Sequence, residues 1–196
     1  MRGYKYAGRS ADGKAQYYDK DGNITETPSE EDKTNVGSGI PTLTYGITFN
    51  AEYKGFDLTI FGSGAAGNDI YYGLYRTGYN NIAKGIYDDF KDGKLPEANT
   101  VAGDGMMFWS SSAMVFSGAY FKIKQIQLGY TLPKQLVQKA FMQNVRAYIS
   151  LDDFFTFTKY PGLDPETCTA SYNCPGLDKG AYPNMKKVVL GFTVTF

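Results

Sequence analysis

Apolar and polar residues alternate strictly over the last ten positions of the chain. Val188, Leu190, Phe192, Val194 and Phe196 fall on one parity, and Lys187, Val189, Gly191, Thr193 and Thr195 on the other. A period of two is the mark of a β-strand with one apolar face. The apolar parity continues to the final residue, where chain ends are usually polar and frayed. A terminal Phe on that parity implies an end tied down in a core or in lipid.

The same period recurs upstream. Leu43, Tyr45, Ile47, Phe49, Ala51 and Tyr53 alternate with Thr42, Thr44, Gly46, Thr48, Asn50 and Glu52. Lys54-Gly55 is a two-residue turn. Phe56, Leu58, Ile60, Gly62 and Gly64 then alternate with Asp57, Thr59 and Ser63, with Phe61 intruding on the polar parity. This predicts a long hairpin to about Ala66. A third strand runs from about Ala119 to Leu132. Phe121 and Ile123 share one parity there, but Ile126, Leu128, Tyr130 and Leu132 share the other, so a bulge is expected near Lys124-Gln125. Pro133 ends it, and Lys134 to Met142 predicts a short helical turn. A fourth strand sets Val145, Ala147, Ile149 and Leu151 against Arg146, Tyr148, Ser150 and Asp152, and continues through Phe154-Phe155-Thr156-Phe157.

Residues 1–39 are polar and turn-rich, with a hairpin turn at Asp21-Gly22. Residues 67–117 form a long connection in which Tyr79, Ile82, Ala83, Ile86, Tyr87 and Phe90 mark one face of a helix that stops at Gly93. Lys159 to Pro183 is a second long loop. Connections after the first and third strands are short; those before the first and after the second and fourth are long. Antiparallel neighbours therefore collect short turns at one end and long loops at the other. This pattern predicts an all-β fold: an antiparallel transmembrane β-barrel segment of about five to six long strands, with one face apolar and one polar. A soluble β-sandwich requires neither the end asymmetry nor strands this long.

Composition agrees. The 196 residues include 17 Tyr, 13 Phe and 23 Gly, and few helix formers. Formal net charge is zero, which gives no electrostatic case for nucleic acid. No apolar run is long enough for a transmembrane helix, which leaves a barrel open. Met1-Arg-Gly-Tyr is followed by no apolar stretch of a signal peptide. A β-membrane protein requires export, so a fragment of a longer protein is expected.

Histidine is absent, which excludes Ser-His-Asp, Cys-His and His-metal sites. Asp152 and Asp153 are neighbours on a strand and point to opposite faces, so they make no acid–base pair. No catalytic residue, no cofactor and no enzymatic activity are expected. Cys168 and Cys174, the only cysteines, are spaced for a local disulfide if the loop faces an oxidising space, and are otherwise free thiols. Asp19, Asp21, Asn23, Thr25 and Glu30 fall at calcium-loop positions 1, 3, 5, 7 and 12, but Gly22 stands at position 4, where an EF-hand requires glycine at 6. The plain turn is the stronger reading.

Five segments, in order, resemble the C-terminal end of SusC/RagA-type TonB-dependent outer-membrane transporters. They are Thr44-Tyr-Gly-Ile-Thr-Phe-Asn-Ala-Glu-Tyr-Lys-Gly-Phe-Asp-Leu58, Gly67-Asn-Asp-Ile-Tyr71, Tyr120-Phe-Lys-Ile-Lys-Gln-Ile-Gln-Leu-Gly-Tyr-Thr-Leu-Pro133, Phe154-Phe-Thr-Phe-Thr-Lys-Tyr-Pro-Gly-Leu-Asp-Pro165, and Gly180-Ala-Tyr-Pro183 with the closing strand. Leu151-Asp152-Asp153 departs from the Ala-Gln-Asn or Gly-Gln-Asn usual before the Phe-Thr-Phe run. The resemblance spans nearly the whole chain and implies a barrel of about 22 strands, of which this chain would be the last part, without plug domain or signal peptide.

By the same resemblance the function is active import of glycan or peptide across the outer membrane, with the C-terminus periplasmic. The implied partners are a SusD-like surface lipoprotein as lid, TonB acting through a plug, the barrel-assembly machinery reading the final strand (Val188, Leu190, Phe192, Val194, Phe196), outer-membrane lipid, and an oligosaccharide or peptide substrate. Tyr71, Tyr72, Tyr75, Phe108 and Trp109 are candidate contacts for ligand or lid; Arg146, Asp152 and Lys187 share the lumen-facing parity. The rival reading is a secreted soluble β-sandwich that binds carbohydrate on aromatic platforms.

Overall fold

The computed structural model describes residues 1–73, 105–169 and 173–196. In chain order its strands are β1 (Arg2–Gly3), β2 (Lys5–Arg9), β3 (Ala15–Tyr18), β4 (Ile24–Thr25), β5 (Thr34–Asn35), β6 (Leu43–Tyr53), β7 (Phe56–Ala66), β8 (Asp69–Tyr72), β9 (Val115–Ser117), β10 (Tyr120–Thr131), β11 (Asn144–Thr158), β12 (Leu177–Asp178) and β13 (Lys187–Thr195). Short helices are α1 (Gly105–Trp109), α2 (Lys134–Val137) and α3 (Pro165–Thr169). The chain divides into two units.

One unit holds residues 43–65, 120–158 and 184–196. It is a five-stranded sheet in the order β13-β11-β10-β7-β6. The five strands follow chain order across the sheet, and β7-β10, β10-β11 and β11-β13 pair antiparallel. The predicted long strands are all present, within a residue or two of their expected ends. Lys54 and Gly55 turn β6 into β7 with φ of 47° and 88°, the left-handed pair that a tight hairpin requires. α2 and a 3₁₀ turn at Gln138–Ala140 join β10 to β11, as expected for Lys134 to Met142.

Register turns the alternation into two faces. Leu58, Leu128, Ile149 and Leu190 lie in one row across four strands; so do Ile60, Ile126, Leu151 and Val188. The row between them is Thr59, Gln127, Ser150 and Val189. Leu190 and Phe192 stay 70% and 79% exposed. The apolar face thus has nothing of this unit covering it. β6 and β13 each have one neighbour, so this chain does not close a barrel.

The bulge falls where the parity break requires it, and a second irregularity accompanies it. Ile123 and Gln125 pair with Gly62 and Phe61 on one side and with Phe155 and Asp152 on the other. β10 therefore gains one residue on β7, and β11 gains one more on β10. Asp153 takes up the excess at φ 58°, and its carboxylate meets Lys124 Nζ at 3.2 Å. The bulge returns Phe121 and Ile123 to the face of Ile126 and Leu128. On that face Gly64 leaves room for the Tyr45 ring, since a Cβ there would meet it at 2.7 Å. Tyr45 stacks on Phe121 at 6.0 Å and Phe121 on Phe157 at 6.4 Å.

The other unit gathers residues 1–42, 66–119 and 159–183, the stretches read as polar or as loops. They hold a core of their own. Tyr4, Tyr17, Ile70, Tyr72, Phe108, Met114, Tyr160 and Cys168 are all at most 5% exposed. Their rings meet edge to face or tilted: Tyr6 with Phe108 at 5.6 Å, Tyr4 with Tyr17 at 5.8 Å, Tyr72 with Tyr160 at 6.3 Å. Short sheets β2-β3-β4, β12-β8-β9 and β1-β5 frame it. Its sequence shows no long period because its strands are only two to five residues each, and β1-β5, β8-β9 and β8-β12 pair across long separations. The helix expected from Tyr79 to Phe90 lies outside the described residues.

Phe108 is fully buried among Tyr6, Trp109 and its neighbours. Phe108→Ala should lower the stability of this unit by about 3–5 kcal/mol, read as an earlier melting transition by calorimetry.

Candidate functional site

The polar face of the five-stranded sheet carries the predicted lumen residues. Asp152 and Lys187 stand directly opposite each other, in a row with Gln125 and Phe61. Ser150 Oγ donates to Asp152 Oδ1 at 2.6 Å. Arg146 lies opposite Thr131 and Thr193. All three therefore share the face expected of them.

Arg146 does more than the expected solvated charge. Its Nε donates to Asp57 Oδ1 at 2.9 Å and its Nη2 to Asp57 Oδ2. This fork reaches across β10, and Gly129 makes it possible: a Cβ there would lie 2.4 Å from Asp57 Oδ1 and 2.5 Å from Arg146 Nη2. The guanidinium also sits over the Tyr148 ring at 5.1 Å. The Tyr148 ring in turn covers Gly191, where a Cβ would approach it to 2.2 Å. Asp57, Gly129, Tyr148 and Gly191 form one row. Side chains that would otherwise stand up from the sheet lie flat across it. Beside them runs a polar groove of about 680 Å³ lined by Asn50, Glu52, Asp57, Thr59, Gln127 and Arg146 among others. The sequence reading missed Asp57 as Arg146's partner, although parity had placed both on one face.

The aromatic candidates divide. Tyr72 and Phe108 are 2% and 0% exposed, so they are core and not contact residues for ligand or lid. Tyr71 and Trp109 are half-buried. The Tyr71 hydroxyl donates to the Trp109 carbonyl at 2.6 Å, and both line a cleft of about 280 Å³ with Arg2, Val36 and Pro175. Tyr75 lies outside the described residues. Val188, Leu190, Phe192 and Val194 occupy the apolar face of β13, opposite Leu151, Ile149, Ala147 and Val145. Phe196 is 80% exposed.

The disulfide expected between Cys168 and Cys174 is not formed; both thiols are free. α3 buries Cys168 in the core beside Asp178, whereas Cys174 is exposed. Burial pushes the Cys168 thiol up to about 12, and the Asp178 carboxylate adds to the shift. The Tyr160 hydroxyl, which donates to Asp178 Oδ2 at 2.5 Å, is raised by the same two causes.

The calcium-loop residues do not converge. Asp19 Oδ1 accepts from the Asp21 and Asn23 amides at 2.9 and 2.8 Å, closing the hairpin turn. The Asn23 amide is the chief cause that holds the Asp19 carboxyl below its usual range. Glu30 instead accepts from Lys33 Nζ at 2.7 Å, which lowers its carboxyl in the same way. Among the described residues no cluster of His, Cys, Asp or Glu is arranged to hold a metal.

No family model matches the chain. It is 31% identical over 199 residues to TonB-dependent receptor P3 of Formosa agariphila, across 97% of this chain and 20% of that protein. It is 24% identical over 183 residues to TonB-dependent receptor SusC of Bacteroides thetaiotaomicron, across 92% of this chain and 17% of that protein. Among solved structures, the RagAB peptide transporter superposes with a TM-score of 0.80 at 22% identity, over 100% of this chain and 22% of that one. That likeness gives the fold. The chain spans about a fifth of the length of the curated relatives it matches.

The two thiols should differ in reactivity. At mildly alkaline pH a maleimide should label Cys174 rapidly and Cys168 only after denaturation, as peptide mapping by mass spectrometry reports. Linkage gives a further sign. The unfolded chain releases the Cys168 proton near 9, while the folded unit holds it to about 12. The folded state then binds more protons, so stability should fall as pH rises between those values.

Proposed function

This chain is a homologue of the TonB-dependent receptors, SusC among them, and from that premise we propose that it forms part of the barrel wall and the external loops of an outer-membrane nutrient importer. The apolar face of the five-stranded sheet meets lipid and the polar face lines the transport path. The edges of β6 and β13 pair with strands of the longer protein. The short turns and the C-terminus face the periplasm. The cargo is glycan or peptide, taken up with a SusD-like surface lipoprotein as lid and with TonB supplying the pull through a plug.

The observation that carries this reading is the spacing of aromatic residues on the apolar face. Tyr45, Phe121 and Phe157 stack at one end. Tyr53, Phe56 and Tyr130 stand at the other, with the Phe56 and Tyr130 rings 4.5 Å apart. Tyr45 and Tyr53 are eight residues apart on β6, about 26 Å along the strand. Tilted as barrel strands are, that is about 20 Å along the membrane normal, close to the apolar band of about 25 Å between aromatic girdles. A carbohydrate-binding sandwich would cover this face with a second sheet, and Leu190 and Phe192 would then be buried.

Leu190 and Val189 test the assignment at one depth. Leu190→Arg places a cation in lipid and should cost about 2–4 kcal/mol near mid-membrane. Val189→Arg meets water and should cost little. Heat-modifiability on gels, for protein assembled in cells, reports folding of each. Equal damage from both would rule out a lipid face and a water face.

A further inference from the structure

The short-turn end of the sheet is chemically unlike the band above it. Two turns lie side by side there: the Thr131 amide donates to the Gly55 carbonyl at 2.7 Å, and Leu132 N to Val145 O at 2.9 Å. Phe141, in the turn after α2, is 93% exposed, and Leu136 is 57% exposed. Phe141 holds φ 58°, a left-handed conformation that a bulky side chain resists. The turn nonetheless fixes it, pointing an aromatic ring away from the protein. Tyr53, Phe56, Tyr130 and Phe196 stand at the same end.

Cations accompany these rings. Lys54 Nζ lies over the Tyr53 ring at 5.1 Å, and Lys134 and Lys139 are exposed in the turn that carries Phe141. From Leu132 to Met142 there is no Asp or Glu. The acidic side chains of this end, Glu52 and Asp57, belong to the polar parity, and Asp57 is engaged by Arg146. The turn that carries Phe141 is therefore basic as well as aromatic. Aromatic rings and snorkelling lysines together fit the layer where acyl chains give way to charged headgroups.

We propose that this belt binds anionic phospholipid, with Lys54, Lys134 and Lys139 holding headgroup phosphates while Phe141 and Leu136 enter the acyl boundary. The inference rests on the reading that the apolar face meets lipid, and it adds a lipid preference for the leaflet at the short-turn end. The belt is continuous with the apolar face, and its charge complements a negatively charged leaflet.

The test is native mass spectrometry of the protein in detergent, with phosphatidylglycerol, phosphatidylcholine or lipopolysaccharide added. The unaltered protein should retain phosphatidylglycerol over phosphatidylcholine, and the preference should fall about fivefold for each lysine neutralised. Combined Lys54→Gln, Lys134→Gln and Lys139→Gln should therefore remove most of it. Arginine at the same three positions should keep it, and high salt should erase it in the unaltered protein. Equal retention of the two phospholipids, a preference unchanged by the glutamines, or stronger retention of lipopolysaccharide would each overturn the proposal. A protein that stays monodisperse without detergent would overturn the lipid-facing reading as well.

Discussion

A strand that passes between two unlike solvents must present one to each face, and the two-residue period of β6, β7, β10, β11 and β13 meets that constraint across a whole sheet. Because register carries Leu58 to Leu128, Ile149 and Leu190 in one row, the apolar side chains of separate strands add up to a surface. Slipping any one pairing by a residue would move all of its side chains to the wrong face. The rest of the structure follows from holding that register. Polar backbone groups are satisfied along the ladders, and only the outer edges of β6 and β13 remain open to further strands.

Two devices protect the register where it is weakest. One is the stepped bulge, where Lys124 and Asp153 absorb extra residues and pair with each other. Without it Phe121 and Ile123 would turn to the polar face. The other is the flat cluster of Asp57, Arg146 and Tyr148, which lies over Gly129 and Gly191 and ties β7 to β11 across the strand between them. A bidentate fork has strict geometry, so it favours one stagger of these strands. The glycines of the polar parity thus serve side chains from neighbouring strands.

The long strands were legible in the sequence because each carries its own period, and the bulge was legible because Phe121 and Ile123 break parity with Ile126 and Leu128. The bond from Arg146 to Asp57 was not, since it depends on which strands neighbour β10 and on the gap above Gly129. The second unit was legible least. Tyr4, Tyr17, Tyr72 and Phe108 come from stretches with no period, and their burial arises from pairings between distant segments. Read singly, such aromatics look like exposed platforms; packed together, Tyr72 and Phe108 are core. The cysteines failed for the same reason: spacing alone could not place Cys168 inside that core and Cys174 outside it.

The central claim is that the two faces of the sheet meet lipid and water. Nitroxide labels at successive positions from Val188 to Thr195, in protein whose Cys168 and Cys174 have been replaced, measure this directly through collision with oxygen and with a water-soluble nickel chelate. In a bilayer, labels at 188, 190, 192 and 194 should favour oxygen, and labels at 189, 191, 193 and 195 should favour the chelate, in antiphase with a period of two. Chelate access at every position, or no alternation, would contradict the account.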